Sequence, residues 1–253
     1  MKKINIVLIL LIATISMAGN EIALNFFINP QFRCSNIDSL SIELEKITQD
    51  SVMSMNIFAG DLFFPVIKDS VVIENLEKLP GMLYSPNDYQ HYYREDKPGF
   101  GLLASNIQSD SILIAKNFKL SNDSLKIGIF TIYTPDIGVK QQYANGVHIN
   151  GDVIDETIKQ TRELKKSGCN YIIMLTSLSS YVVNYIIKEV ELDGVISYDY
   201  KTEKVRELQG KKTTGFYSIA SSQGKYGRLL LTKAKDGIIE SWQECRWQNA
   251  KGN

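Results

Sequence analysis

Histidine is scarce in this chain. The 253 residues contain only His91 and His148, and neither of them ends an apolar run. Imidazole is the most common protein ligand for metals and a frequent general acid or base near neutral pH. The sequence therefore excludes a site that depends on several histidines.

Net charge is also lacking, because 28 basic and 28 acidic residues cancel. A chain without excess positive charge has no broad field to attract phosphates, so nucleic-acid binding is not expected. The hydrophobic share of 44% and the charged share of 22% are those of an ordinary globular protein. The length suffices for a well-buried core.

Cysteines are few, and the three present, Cys34, Cys169 and Cys245, lie far apart. Since none belongs to a Cys-x-x-Cys pair, zinc-ribbon and redox motifs are excluded. An odd number leaves at least one thiol free. Cys169 precedes an apolar stretch and is predicted to be a small buried residue. Cys34 is predicted to lie in a solvated loop.

The N-terminal segment has the pattern of a secretory signal. Met1-Lys2-Lys3 supplies a positive start, residues 4–15 an apolar stretch, and Ser16-Met17-Ala18 a cleavage site. We predict a signal peptide over residues 1–18 and an exported mature chain over 19–253, in a bacterial periplasm or outside the cell. The apolar stretch is short for a bilayer span, so no stable membrane anchor is expected after cleavage. An uncleaved anchor helix is the alternative.

Hydrophobic periodicity predicts strands alternating with helices along the mature chain. Strands are predicted at 22–28, 56–59, 102–105, 111–118, 125–133, 171–175, 194–196, 215–220, 228–232 and 238–245, and helices at 39–49, 70–79, 152–167 and 181–190. Residues 84–101 are polar and aromatic and are predicted to form a long irregular loop. Parallel β-α units mixed with antiparallel hairpins predict one domain with two packed sheets and helices outside.

The junctions after the predicted strands are where a ligand is expected to bind, because α/β sheets bind ligands beyond the carboxyl ends of their strands. In chain order these junctions are Asn29-Pro30-Gln31, Gly60-Asp61, Pro86-Asn87-Asp88, Thr176-Ser177 and Asp199-Tyr200-Lys201. Ser177, Ser179 and Ser180 are predicted to cap a helix, since no histidine partner or Gly-x-Ser-x-Gly elbow supports a nucleophile. His91 is predicted to be a solvated loop residue and His148 a structural one.

The order of these junctions resembles that of the calcineurin-like metallophosphoesterases, specifically the catalytic domain of the 5′-nucleotidase family. That family has Asp-x-His, Gly-Asp, Gly-Asn-His-Glu, Ser-His and Gly-His-x-His at successive junctions. Further similar segments are Ala104-Ser105-Asn106-Ile107, Ile127-Gly128-Ile129-Phe130-Thr131 with Thr134-Pro135-Asp136, the approach from Leu164 to Leu175, and Ser222-Gln223-Gly224-Lys225-Tyr226-Gly227. The resemblance covers nearly the whole mature chain. It implies a four-layer α/β/β/α sandwich of two mixed β-sheets flanked by helices.

The resemblance also implies a site for two divalent ions that clamp a phosphate and activate water. Here Asp61 stands at the bridging carboxylate and Asn87 at the amide ligand. Every imidazole position holds another residue type. The family's first Asp and His correspond to Asn29 and Gln31, its acid-donating His to Asp88, the His of Ser-His to Ser177, and its last two histidines to Asp199 and Lys201.

Two interpretations of this pocket remain open. The Lys201 ammonium among Asp61 and Asp199 could replace the charge of the metals, so that no cofactor is expected. Alternatively, the oxygen donors of Asp61, Asn87 and Asp199 could hold a hard divalent metal ion such as calcium or magnesium.

Three functions follow from these interpretations. The first is a catalytically inactive, exported relative of the 5′-nucleotidases that binds an unknown small molecule or protein partner through the altered pocket. The second is a divergent metal-dependent phosphoester hydrolase. The third is a structural envelope protein. The nucleotidases of the family carry a C-terminal substrate domain, which is not expected in residues 19–253.

Overall fold

A computed structural model of the protein describes residues 19–28, 34–50, 52–60, 82–86, 102–109, 114–135, 147–197, 208–209, 213–218 and 224–247. In chain order the elements are β1 (Glu21–Ile28), α1 (Cys34–Gln49), β2 (Met53–Gly60), β3 (Met82–Pro86), β4 (Leu102–Leu103), β5 (Ile107–Ser109), β6 (Ile114–Ala115), β7 (Asn117–Ser121), β8 (Lys126–Ile132), β9 (Val147–Ile149), α2 (Val153–Lys166), β10 (Tyr171–Thr176), α3 (Ser180–Glu189), β11 (Gly194–Ser197), β12 (Leu208–Gln209), β13 (Thr213–Ser218), β14 (Lys225–Ala234) and β15 (Gly237–Arg246).

Two large mixed sheets organise these strands. The seven-stranded sheet has the order β15-β14-β1-β2-β3-β4-β6, and the six-stranded sheet has the order β12-β13-β11-β10-β8-β7. Strands β1 to β4 and β6 run parallel to one another, as do β8, β10, β11 and β13. Antiparallel strands flank them on the outside: β14 and β15 in one sheet, β7 and β12 in the other. Strands β5 and β9 form a small separate pair.

An apolar core fills the space between the two sheets. Alternate residues of β1 point into it, as expected from the two-residue period of a strand. They meet alternate residues of β8 and β10; the contributors include Ile22, Leu24, Phe26, Ile28, Ile127, Ile129, Tyr171, Ile173 and Leu175. Full burial of each such side chain contributes about 1.5–3 kcal/mol. The alternation of apolar residues along these strands therefore specifies which face of each sheet packs against the other.

Helices cover the outer faces. Helices α2 and α3 bury Leu164, Val183, Ile186 and Ile187 against the six-stranded sheet. Helix α1 buries Leu40, Leu44 and Ile47. Two polar contacts join α1 to β14: the Tyr226 hydroxyl donates to Glu43 Oε1 at 3.1 Å, and Arg228 pairs with Asp50 at 2.5 Å. Burial raises the pKa of Tyr226, and Cys245 and Glu43 raise it further. The predicted four-layer sandwich is confirmed.

A glycine allows α2 to approach the sheet closely. A Cβ atom at Gly128 would lie 2.8 Å from both δ carbons of Leu164. That separation is shorter than ordinary van der Waals contact, so a larger residue would force the Leu164 side chain, or α2 with it, to shift. Gly128 belongs to one of the segments that resemble the 5′-nucleotidases, and close packing accounts for it.

Most predicted elements are confirmed, with longer or shifted ends, but three predictions are wrong. The predicted loop at 84–101 is wrong for residues 84–86, which belong to β3, where Tyr84 pairs with Phe58 in parallel register; residues 87–101 lie outside the described residues. The sequence did not indicate a strand at 84–86 because Ser85 and Pro86, the last two residues of β3, are residue types that disfavour strands. Cys34 is the first residue of α1 rather than a loop residue. The single strand predicted at 111–118 consists of β6 and β7, which Lys116 separates. The helix predicted at 70–79 lies outside the described residues.

The thiols follow the prediction from the cysteine count. Cys169 and Cys245 are both free, and Cys169 is buried. Burial raises the pKa of both thiols, so neither is activated as a thiolate.

Residues 105 and 106 join the two sheets. Ser105 donates its backbone N–H to Thr131 O at 2.9 Å. The Asn106 amide donates to the carbonyls of Tyr133 (2.9 Å) and Asn150 (3.2 Å) and accepts from the Tyr133 N–H at 2.9 Å. Both residues follow β4, while Thr131 and Tyr133 lie at the end of β8. The carboxyl ends of the parallel strands of both sheets therefore face the same edge, here named the carboxyl edge.

We predict that Asn106→Ala lowers the free energy of unfolding by about 2–4 kcal/mol, because it leaves buried backbone groups of Tyr133 without partners. Asn170→Ala is the matched control. The Asn170 side chain bonds Lys126 N at 2.9 Å, but it is exposed, so water can replace this bond and the cost is about 1 kcal/mol or less. Urea denaturation measures both, and equal losses would contradict the bridging role of Asn106.

Candidate functional site

Three neighbouring strands of the seven-stranded sheet end together at the carboxyl edge. Ile28 of β1 is opposite Ala59 of β2, and Gly60 is opposite Pro86 of β3. Adjacent strands lie about 4.8 Å apart. The next residues along the chain are Asn29, Asp61 and Asn87, which are three of the predicted pocket residues. These three, together with Gln31 and Asp88, lie outside the described residues, so their side-chain positions stay predictions.

Two neighbouring strands of the six-stranded sheet end at the same edge. Thr176 of β10 is opposite Ser197 of β11. Ser177 follows Thr176 directly, while Asp199 and Lys201 follow Ser197 after one and three intervening residues. Asp199 and Lys201 also lie outside the described residues.

Ser177 is the predicted site residue that the structure describes, and its hydroxyl has a structural partner. Its Oγ accepts a hydrogen bond from the Thr134 backbone N–H at 3.0 Å. The neighbouring Thr176 hydroxyl donates to Ile132 O at 2.8 Å and accepts from Leu178 N at 3.0 Å. These two hydroxyls join the end of β10 to the end of β8. At a position that the sequence resemblance assigns to an imidazole ligand, this chain has a neutral hydroxyl that holds a backbone turn.

The predicted capping role of the serines is confirmed for the position of Ser179 but not for its side chain. Ser179 occupies the N-cap position of α3, but its side chain makes no capping hydrogen bond. Ser180 is the first residue of the helix, and Ser177 bonds Thr134 instead. The sequence pattern correctly predicted serines just before the helix. The hydroxyl of Ser177, however, bonds the backbone of Thr134, which follows β8.

A partly buried polar cluster lies beside the carboxyl edge and was not predicted. Lys116 follows β6 and donates its ammonium to Ile107 O. Burial lowers the pKa of Lys116; the Glu156 carboxylate acts in the opposite direction, and Lys159 lowers it further. Glu156 accepts from Gln160 at 2.7 Å, and Gln160 accepts from Asn117 at 2.7 Å. One indication in the sequence was that Glu156 and Gln160 lie four residues apart in a predicted helix, so that their side chains are neighbours on its surface.

The remaining predictions concern the histidines and the metal ions. His148 lies in β9 opposite Gln108 and is exposed, so its structural role stays a prediction; His91 lies outside the described residues. Within the described part of the chain, no three carboxylate, thiol or imidazole groups come together as around a metal ion. The expected oxygen donors Asp61, Asn87 and Asp199 are not among those residues, so the metal-free interpretation stays a prediction.

No helix among the described residues is both long and apolar enough to cross a bilayer.

The architecture defines the class of fold. Two mixed sheets pack face to face, helices cover both outer faces, and the carboxyl ends of the parallel strands of both sheets meet at one edge. This is the fold of the calcineurin-like metallophosphoesterases, and in particular that of the 5′-nucleotidases. The resemblance inferred from the sequence junctions is thereby confirmed at the level of the fold.

Solved structures identify the particular relatives in fold. The NAD nucleotidase NadN of Haemophilus influenzae superimposes with a TM-score of 0.65 at 16% identity, over 88% of this chain and 55% of that protein. A 5′-nucleotidase precursor from Thermus thermophilus gives 0.68 at 12% identity, over 89% and 54%. This chain therefore spans about half the length of these nucleotidases.

A third similar structure has a different role. GAP50, the anchor in the inner membrane complex of Plasmodium, superimposes with a TM-score of 0.53 at 12% identity, over 88% of this chain and 84% of that protein. No protein-family model matches the chain, and no curated protein matches its sequence.

We predict that Ser177→Ala lowers the free energy of unfolding by about 1 kcal/mol, because the Thr134 N–H loses its acceptor. Ser179→Ala is the matched control, since the Ser179 side chain makes no capping bond and its removal is expected to cost at most a few tenths of a kcal/mol. Chemical denaturation separates the two. A larger loss for Ser179→Ala than for Ser177→Ala would contradict the assigned role of Ser177.

Proposed function

We propose that this protein is a catalytically inactive, exported protein with a 5′-nucleotidase-like fold that binds a small molecule or a protein partner at the carboxyl edge. The observation that carries this proposal is the hydrogen bond from the Thr134 N–H to Ser177 Oγ at 3.0 Å. It supports a structural role for a residue that stands where the resembling family has a metal-binding imidazole.

The residue types at the other junctions support the same function. Two-metal phosphoester hydrolysis requires ligands that hold both ions and a group that protonates the leaving oxygen. Gln31 and Asp88 stand where the family has imidazoles, and so does Lys201. An ammonium repels divalent cations and can instead neutralise the carboxylates of Asp61 and Asp199. A pocket of this composition favours binding over hydrolysis.

The export and binding roles have support from the relatives. Residues 1–18 have the pattern of a signal peptide, and the similar Thermus thermophilus nucleotidase is described as a precursor. GAP50, which shares most of its length with this chain, serves as an anchor in a complex. A chain of this fold can therefore act through binding.

The alternative function is a divergent metal-dependent phosphoester hydrolase in which Asp61, Asn87 and Asp199 hold a hard cation. The similarity in fold to the two nucleotidases, with TM-scores of 0.65 and 0.68, favours this alternative.

Metal content and hydrolysis separate these two functions. We expect the purified mature protein to carry no stoichiometric zinc, manganese or iron, and to release no phosphate or nitrophenol from AMP or nitrophenyl phosphate with magnesium or calcium present. Elemental analysis and a colorimetric assay measure both. Two ions per chain, or a rate that Asp61→Ala abolishes, would establish the hydrolase instead.

Lys201→Ala is the informative variant for the same question. If the Lys201 ammonium neutralises Asp61 and Asp199, its removal leaves two carboxylates that a divalent cation can bridge. Millimolar magnesium or calcium should then raise the thermal midpoint of Lys201→Ala but not that of the wild-type protein. An equal response in both proteins would count against this role of Lys201.

Binding at the carboxyl edge is tested with nucleosides and sugars, because the sequence around the junctions is rich in tyrosine, namely Tyr89, Tyr92, Tyr93, Tyr198 and Tyr200. We expect adenosine or ribose to raise the thermal midpoint, since a ligand at 100 times its dissociation constant stabilises by about 2.7 kcal/mol. Asp61→Ala should lose the response. No response to either compound in the wild-type protein would favour a structural envelope role.

A further inference from the structure

A groove lies on the outer helical layer, away from the carboxyl edge. It encloses about 340 Å³ and is lined by Ile158, Thr161, Arg162, Lys165, Lys166, Glu189, Val190 and Glu191. These residues belong to the second half of α2 and to the end of α3 with the turn that follows it. Because α2 and α3 end just before β10 and β11 begin, the groove lies at the amino end of these strands. Its volume is in the range of small-molecule sites.

The charges in the groove do not cancel. Lys165 pairs with Glu191 at 3.0 Å. Arg162 and Lys166, one helical turn apart, form no ion pair within the described part of the chain, and neither does Glu189. The groove therefore contains two unpaired cationic side chains, Arg162 and Lys166, and one unpaired carboxylate, Glu189. Lys165 and Lys166 lie in the last turn of α2, where the helix dipole stabilises cations. Arg162 precedes that turn, so the dipole does not account for it.

A buried hydroxyl in the wall of the groove has no partner. Thr161 is 4% exposed, and its Oγ1 makes no hydrogen bond. Thr157, one turn earlier in the same helix, donates its hydroxyl to Val153 O at 2.6 Å. A buried polar group without a partner is unfavourable and requires an explanation. A ligand in the groove that accepts from this hydroxyl would supply the missing partner.

We propose that this groove is a second binding site, for a small molecule that carries one carboxylate or phosphate group. Arg162 and Lys166 contact the oxyanion, for which a guanidinium offers several donors in one plane. Threonine has two rotamers about χ1 in a helix, so the Thr161 hydroxyl can turn toward the ligand and donate to it. Ile158 and Val190 contact the apolar part. The unpaired Glu189 carboxylate selects against ligands that carry a second anionic group.

The site is located by titrating isotope-labelled protein with acetate and, separately, with inorganic phosphate, while sodium chloride keeps the ionic strength constant. We expect saturable shifts of the backbone amide signals of Thr161, Arg162, Glu189 and Val190. Acetate and phosphate distinguish a carboxylate from a phosphate preference. Arg162→Gln should weaken binding about tenfold, the effect of losing a charge-assisted hydrogen bond.

Lys188→Gln is the matched control, because Lys188 is an exposed cation on α3 that does not line the groove. Its binding should equal that of the wild-type protein. Shifts that fail to saturate for both anions, or an equal loss for Lys188→Gln and Arg162→Gln, would overturn the proposal.

A pair of threonine variants tests the hydroxyl. Thr161→Val removes a buried hydroxyl that has no partner, so it should raise the thermal midpoint in anion-free buffer and weaken anion binding. Thr157→Val removes a hydroxyl that is bonded to Val153 O, so it should lower the midpoint. A fall in the midpoint for both variants, with anion binding unchanged in Thr161→Val, would show that Thr161 serves only the helix and would overturn its role.

Discussion

The hydrogen bonds of the Asn106 side chain are the constraint on which the rest of this structure depends. The apolar core specifies which faces of the two sheets meet, but apolar contact is not directional. Asn106 bonds both backbone groups of Tyr133 together with the Asn150 carbonyl, and this sets the seven-stranded sheet against the six-stranded one. As a result, the parallel strands of both sheets end at one edge, where a site can form from both.

Neutral hydroxyls hold the backbone together at one junction of that edge. Thr176 and Ser177 use neutral hydroxyls to join β10 to β8, and Ser177 is the residue for which the sequence resemblance predicts an imidazole in the family. A hydroxyl satisfies a backbone N–H without binding a cation. The end of β10 is therefore joined to the end of β8 by hydrogen bonds within the chain.

Much of the fold could be predicted from the sequence, and the site only in part. The period of β1 and the amphipathic pattern of α2 gave correct elements, because burial on one face leaves a regular signal. β3 was missed because Ser85 and Pro86 carry strand-breaking chemistry, yet Tyr84 pairs with Phe58. The cluster of Lys116 and Glu156 was missed because its members come from distant segments, and only folding brings their charges together.

The sequence by itself determined the class of fold, the order of the junctions after the strands, and the residue types that stand there, because these depend on local periodicity and on chain order. The tertiary structure alone decided that the Ser177 hydroxyl accepts from Thr134 N, and that Thr161 is buried without a partner beside Arg162. Hydrogen bonds and grooves depend on the positions of atoms from segments far apart in the chain, and a linear pattern carries no such distances.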